Sequence, residues 1–288
     1  MIQARNKLSQ EELSEAKKLI NCCQAYDETY RYPYLSNMLN FDPNMPAFFL
    51  YYEKGGLVGL LTVYADDPDV EVAILVHPNH RRQGIARALY RSFEKETASY
   101  PIESVTFQTE RVFLERHPDF VNNWGLVEDE ETETWLGKDR KPYPLANISN
   151  LEVLLADRSY QDQISQLKFQ AFSEDHESRE VVDRYVAKAL KDPESLLYIL
   201  LKNGQVIGTC TVDLSSHTNY LYGLAIAELE RGKGYGTYLA KSLINQLIEQ
   251  NDKAFQIAVE DSNLGAKRLY EKIGFIKQTQ VVYLKPKE

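Results

Sequence analysis

Apolar and polar positions along this chain follow two rhythms, and the order in which they occur is met twice. A helical spacing of Leu13, Ala16, Leu19 and Ile20 predicts a helix at about Glu11–Gln24. Two strand-length runs follow, Ala47–Glu53 and Leu57–Tyr64, joined by the hairpin signal Lys54-Gly55-Gly56. A third run, Val70–Val76, ends at His77-Pro78, and a glycine-containing segment then opens a helix reaching about Glu96. Ser104–Thr109 reads as another strand.

The second half repeats this order. Strand Leu151–Leu155 precedes helices near Tyr160–Phe172 and Ser178–Leu190, and strands Leu196–Lys202 and Val206–Leu214 flank a turn at Asn203-Gly204-Gln205. Strand Tyr220–Ile226 leads through Glu230–Gly236 into a helix reaching Gln250; strand Ala254–Val259, helix Leu264–Ile273 and strand Val281–Leu284 complete the pattern. Arg81 and Arg231, Gly84 and Gly234, and Ala86 and Gly236 each stand 150 positions apart. That period is too long for a solenoid repeat and indicates a duplicated domain. Lys141-Pro142-Tyr143-Pro144 breaks both rhythms, so the boundary is expected within Lys138–Asn150, between domains 1–140 and 151–288.

Composition narrows the function classes. A chain of 288 residues suits two domains, and 43% apolar with 26% charged residues is ordinary for a soluble globular protein. Its net charge of −9 disfavours broad nucleic-acid binding and is compatible with an amine substrate. Cys22, Cys23 and Cys210 provide neither a disulfide framework nor metal spacing, and His77 and His80 lack a third ligand nearby. No metal is expected, and the cysteine count suits a cytoplasmic location. The first residues do not read as a signal peptide, and no run approaches the ~18 apolar residues of a membrane span. The acidic run Glu128–Glu131 reads as a solvated turn, and the aromatic segments Tyr26–Tyr34 and Phe41–Tyr52 fit a cleft or a core equally.

Chemistry concentrates at Arg231-Gly232-Lys233-Gly234-Tyr235-Gly236, between a strand and a helix. Glycines allow close approach of an anion, the helix start offers amide N–H groups, and two basic side chains stand at the rim. A tightly packed helix start would use the same residues. The spacing matches neither the triphosphate loop nor the dinucleotide fingerprint. Downstream, Asn263 can cap a helix whose Ala266, Leu269, Tyr270 and Ile273 share one face, with Gly274 at its end. Read alone, Tyr270 fits a core position as well as a functional phenol.

Together these segments resemble the GNAT superfamily of acyl-CoA-dependent acyltransferases. Its Arg/Gln-x-x-Gly-x-Gly/Ala loop is matched by Arg231, Gly234 and Gly236, and again by Arg81, Gly84 and Ala86. Its later Asn-x-x-Ala-x-x-Leu-Tyr and Gly-Phe motifs are matched by Asn263, Ala266, Leu269, Tyr270, Gly274 and Phe275. The resemblance implies an α/β (α+β) fold of two tandem domains, each a mixed, mostly antiparallel sheet flanked by helices. It also implies acetyl-CoA as acyl donor. Leu224, Ala225 and Ile226 would face the pantetheine, as would Asn263. Arg231, Gly232, Lys233, Gly234, Tyr235, Gly236 and Thr237 would hold the pyrophosphate, and Tyr270 would protonate the departing thiolate.

Some superfamily members place a basic glutamate about eleven residues before the loop's first basic residue. That position is Tyr220 here and Val70 in the first half, with Glu71 one place off and hence on the opposite face. Asp213, His217 and Glu260 are the other candidates. The first half keeps Arg81, Arg82, Gln83, Gly84, Ile85 and Ala86 as a second candidate cofactor site but lacks the Asn/Tyr helix, and Pro118 interrupts that region. The C-terminal half is therefore expected to be catalytic and the first degenerate. The expected reaction is direct acetyl transfer to a small-molecule primary amine by a monomer or homodimer. A non-catalytic CoA-binding scaffold and a peptide N-acetyltransferase are the alternatives.

Overall fold

Two compact units make up the computed structural model, which describes residues 1–145, 148–172 and 178–287. The first comprises Met1–Thr134 and the chain from Thr279 onward; the second is Trp135–Gln278. The expected boundary interval, 138–150, includes 146–147, which lie outside the described residues.

In the first unit the elements are β1 (Ile2–Arg5), α1 (Gln10–Asp27), β2 (Phe48–Glu53), β3 (Gly56–Tyr64), β4 (Asp69–Val76), α2 (Ile85–Thr97), β5 (Ser104–Glu110), α3 (Arg111–Arg116) and α4 (Phe120–Trp124). β6 (Leu126–Lys138) begins there and β12 (Ile276–Pro286) ends there, giving the strand order β1-β2-β3-β4-β5-β12-β6. α1 opens with a capping box in which the Ser9 hydroxyl accepts from Glu12 N–H and the Glu12 carboxylate accepts from Ser9 N–H. It buries Ala16, Leu19, Ile20 and Cys23 against Leu50 and Leu60, while α2 buries Ile85, Leu89 and Phe93 in the core containing Phe49, Leu61, Val70 and Val72. Each buried Leu, Ile, Val or Phe side chain among them contributes about 1.5–3 kcal/mol.

The second unit contains β7 (Leu151–Leu155), α5 (Gln161–Phe172), α6 (Arg179–Ala189), β8 (Ser195–Lys202), β9 (Gln205–Asp213), β10 (Thr218–Ile226), α7 (Tyr235–Gln250), β11 (Ala254–Glu260) and α8 (Leu264–Lys272). Its strand order is β6-β11-β10-β9-β8-β7. β4–β5 and β10–β11 are parallel; the hairpins β2–β3 and β8–β9 are antiparallel, as are β3–β4 and β9–β10. The architecture expected of each half is therefore present. No helix among the described residues is long and apolar enough to cross a membrane.

Two readings change. Glu128–Glu131 lies within β6 rather than in a turn, and Glu128 pairs with Arg111 at 2.8 Å while Asp129 pairs with Lys285. Charges on the polar side of a strand mimic a turn in sequence once their ion partners are out of view. Val281–Leu284, assigned above to the second half, pairs with β5 of the first unit from Val281↔Glu110 to Leu284↔Phe107. Val282 and Leu284 are fully buried in that unit's core. Alternation fixes which face of a strand is apolar, not which sheet receives it.

Candidate functional site

The two glycine loops adopt one backbone shape. Gly84 and Gly234 precede α2 and α7 at φ 82° and 83°, and the left-handed position two residues earlier is taken by Arg82 at φ 62° and Gly232 at φ 75°. Neither helix start has a side-chain cap. The first helical bonds run from Ala88 N–H to Gly84 O and from Tyr238 N–H to Gly234 O. The preceding amides point out of the helix end, at the positive pole of its dipole. Nothing stands within 4 Å of a Cβ built on Gly84, Gly232 or Gly234, so the cradle has room for a phosphate-sized anion.

The basic side chains differ between the loops. Arg231 Nε donates to Ile226 O at 3.1 Å, and Lys233 pairs with Glu230 at 3.1 Å. Arg81 Nε makes the matching bond to Val76 O at 2.9 Å, but its two Nη atoms also donate to both oxygens of Asp27 at 2.7 and 2.6 Å. Asp27 is buried at the end of α1. A carboxylate thus neutralises Arg81, the first residue of the candidate second cofactor site. Gln83 of that loop donates to Asn79 O at 3.5 Å.

Each loop follows a strand that parts from its parallel neighbour. β4–β5 pairing stops at Val72↔Phe107, and β10–β11 pairing stops at Leu221↔Ile257. Leu224, Ala225 and Ile226 lie beyond that point; Ala225 and Ile226 remain paired to Thr209 and Gly208 of β9 on one edge only. In the first unit the gap opens into a cavity of about 570 Å³. Val72–Val76, Phe107–Glu110 and Leu284 wall it, and Arg81, Arg82, Gly84, Ile85 and Ala86 close one end. That volume falls in the range of small-molecule sites.

β10 also carries a register shift between Tyr222 and Ala225, with Gly223 at φ 58°. β4 pairs with β3 without interruption from Gly59↔Val76 to Tyr64↔Glu71. The second unit therefore has one extra residue at a β-bulge that the first lacks.

α8 flanks the second loop. Asn263 caps it, accepting from Ala266 N–H at 3.0 Å, and a Cβ on Gly236 would come within 3.1 Å of Leu269 Cδ1. Gly236 thus serves close packing of α8 onto α7. Tyr270 is 6% exposed and meets Phe275 edge-on. Burial holds its phenol far above the usual range, with the Cys210 thiol adding to the effect. Cys210 Sγ in turn lies 3.7 Å from Tyr222 O, which links Tyr270 to the bulge.

The model of the Acetyltransferase (GNAT) family matches residues 12–140 and 161–275, so both halves carry its pattern. The chain belongs to this family. A curated relative, mycothiol acetyltransferase of Clavibacter sepedonicus, is 26% identical over 230 residues, covering 76% of this chain and 73% of the relative. Among solved structures, a GCN5-related N-acetyltransferase from Sphaerobacter thermophilus aligns over 99% of this chain and 94% of its own with a TM-score of 0.73 at 16% identity. A tandem GNAT protein from the clavulanic acid biosynthesis pathway aligns over 99% and 97% with a TM-score of 0.69 at 16% identity.

Strand register revises the search for a GNAT base. Tyr220 opposes Asp213 on β9, and Glu71 opposes Tyr64 on β3; Asp213 and Tyr64 each stand nine positions after their hairpin glycines, Gly204 and Gly55. Glu71 is therefore the register counterpart of Tyr220, and Val70 faces the α2 core instead. Counting back from the loop misplaced it because β4 has no bulge. Burial raises the Glu71 carboxyl to about 7; Glu133 and Asp66 add to this, while Arg31 and Gln108, which donates to it, oppose.

Of the other candidates, Asp213 shares the Tyr220 face and is raised by burial, with its oxygens accepting from Ser215 N–H and Oγ at 2.7 and 2.9 Å. His217 is lowered by burial and by Lys253, and Glu260 is exposed and accepts from Ser262 Oγ at 3.3 Å. Among the described residues no group of three or more His, Cys, Asp or Glu side chains could hold a metal ion. Sequence reasoning missed Asp27 and the bulge. A glycine inside a strand, here Gly223, is the signal that marks such a bulge.

Proposed function

We propose that the chain moves the acetyl group of acetyl-CoA directly to a primary amine of a small molecule, with the second unit as the reacting centre. The observation that carries this reading is the convergence on the β10 bulge of the uncapped start of α7, the open edge at Leu224–Ile226 and the protonated phenol of Tyr270. Acetyl-CoA supplies an activated acyl group as a thioester. Amides of Gly232–Thr237 would hold its pyrophosphate, with Arg231 and Lys233 at the rim, while Leu224–Ile226 and Asn263 would border the pantetheine. As the amine nitrogen bonds to the carbonyl carbon and the C–S bond breaks, Tyr270 would give its proton to the leaving sulfur. The name of the curated relative supports a small-molecule acceptor.

The test is thiol release from acetyl-CoA across a panel of primary amines. Tyr270→Phe retains the ring that packs on Phe275, so its expected effect is a loss of about 10²-fold or more in turnover with thermal stability little changed. Unchanged turnover and pH profile would remove the acid assignment.

The cavity in the first unit supports a second reading, in which Arg82–Ala86 bind a second CoA. Titration calorimetry decides it: two equivalents bound per chain in wild type, falling to one when Gly84 is replaced by valine. A scaffold without turnover would bind CoA and release no thiol with any amine. A peptide acceptor would appear as acetylation of peptides in preference to small amines.

A further inference from the structure

Lys141-Pro142-Tyr143-Pro144 lies between β6 and β7, wholly within the second unit. Lys141 and Tyr143 each precede a proline, which favours extended backbone at both. The proline rings fix their own φ as well, so the segment has little freedom to lose when it is held against the fold. Lys141, Pro142 and Pro144 are exposed, whereas Tyr143 is half-buried and packs on the core of the second unit.

Three sets of contacts tie this segment to the helices of the candidate reacting centre. Arg140 Nη2 donates to Ile248 O and Asn251 O at 2.7 and 2.9 Å, around the end of α7. On the same helix, the Asn245 side chain accepts from Tyr143 N–H at 2.8 Å and donates to Tyr143 O at 2.9 Å. The ammonium groups of Lys138 and Lys241 lie over the Tyr143 ring, 4.9 and 5.0 Å from its centre. From this seat the Tyr143 hydroxyl reaches α8 and donates to Ile273 O.

Ile273 is the residue at which α8 ends, three positions after Tyr270. Its N–H donates to Leu269 O and Tyr270 O, and Phe275 N–H donates to Tyr270 O at 3.0 Å as Gly274 turns at φ 87°. The carbonyl that Tyr143 holds therefore belongs to the same cap that fixes the Tyr270 backbone. Leu269 sets α8 close against Gly236 at the start of α7, and Tyr143 fastens the end of α8 to a later turn of α7. This nine-residue helix is held at two points, and Tyr270 lies between them in sequence.

We propose that Tyr143 is a positioning residue for Tyr270: its hydroxyl fixes the end of α8 and, through it, where the phenol stands relative to the leaving sulfur. Placement of this kind matters to rate, since a shift of about 1 Å in a reacting group costs about 10²-fold. The pyrophosphate cradle, Gly232–Gly236, lies at the opposite end of α7, so donor binding does not depend on the contact.

This rests on the reading that Tyr270 protonates the departing thiolate. The test is a double-mutant cycle, with thiol release from acetyl-CoA followed on the fastest primary amine of the panel. Tyr143→Phe keeps the ring and removes only the hydroxyl; kcat is expected to fall about ten-fold, with KM for acetyl-CoA within about two-fold of wild type. In the Tyr270→Phe background the same substitution should lower kcat by less than about two-fold, since no proton is left to place. Asn245→Ala releases the same segment from α7 and provides a second cycle with the same expectation, should Tyr143→Phe melt too low to assay. Unchanged kcat in Tyr143→Phe, or an equal loss in both backgrounds, overturns the proposal. If Tyr270→Phe slows turnover and the cycle is additive, only the role of Tyr143 falls. Full turnover in Tyr270→Phe, or failure of every amine to release thiol, overturns the site reading and the proposal together.

Discussion

Glu71 is a carboxyl group at the edge of an apolar core, and its burial carries a consequence for stability. Its pKa in the folded protein, about 7, lies above the ordinary value of 4.5, so the folded state binds the proton more tightly. Stability linked to this group is full at acid pH and declines as pH rises from the unfolded value through 7. Glu71→Gln should therefore stabilise the fold above neutral pH by on the order of 1–3 kcal/mol, seen as a higher melting temperature, and lose that advantage near pH 5. Thermal melts at several pH values would check it. This residue also shows where sequence runs short. Its chemistry was visible, but its equivalence to Tyr220 depends on a bulge that β10 has and β4 lacks. Tyr270 was the opposite case: motif spacing singled it out, while only packing through Cys210 relates it to the bulge.

The loop-and-helix pair is the element on which donor binding depends. Gly234 stands at φ 83° with open space where a side chain would project. Gly234→Ala should cost about 1 kcal/mol through backbone strain, and its methyl would enter the cradle. The expected result is a native-like melt with weaker acetyl-CoA binding by calorimetry. In the first unit the comparable element is tied to α1 through Asp27 and Arg81, two residues 54 positions apart. Asp27→Ala leaves the half-buried guanidinium of Arg81 without its carboxylate and should destabilise the first unit by about 3–5 kcal/mol in denaturant unfolding. Most helices and hairpins were legible because their apolar periods are clean and their turns are rich in glycine. The Asp27–Arg81 pair was not, since no local pattern marks a contact made across that distance.

At the scale of the molecule, duplication was legible from the matched loops, and the family match over both segments agrees with it. The allocation of the last strand was not. Val281, Val282 and Leu284 are completely buried, and at about 1.5–3 kcal/mol each their loss would remove stability comparable to that of a whole domain. A chain ending at Gln278 should accordingly lose hydrogen-exchange protection in β2–β5 while β9 and α7 of the second unit keep theirs. Equal protection in both would show that β12 is dispensable to the first unit.

A ribosome delivers this chain in an order that the first unit cannot use directly. Its β1–β5 emerge early, yet the strand that completes their sheet is made only after the elements of the second unit. At ~5–20 residues per second, the wait between β6 and β12 is on the order of ten seconds. Throughout that interval the edge of β5 has no β12 to pair with and is open to other strands. Of the two units, the one begun earlier is thus completed later, and its yield in the cell depends on what shields that edge meanwhile.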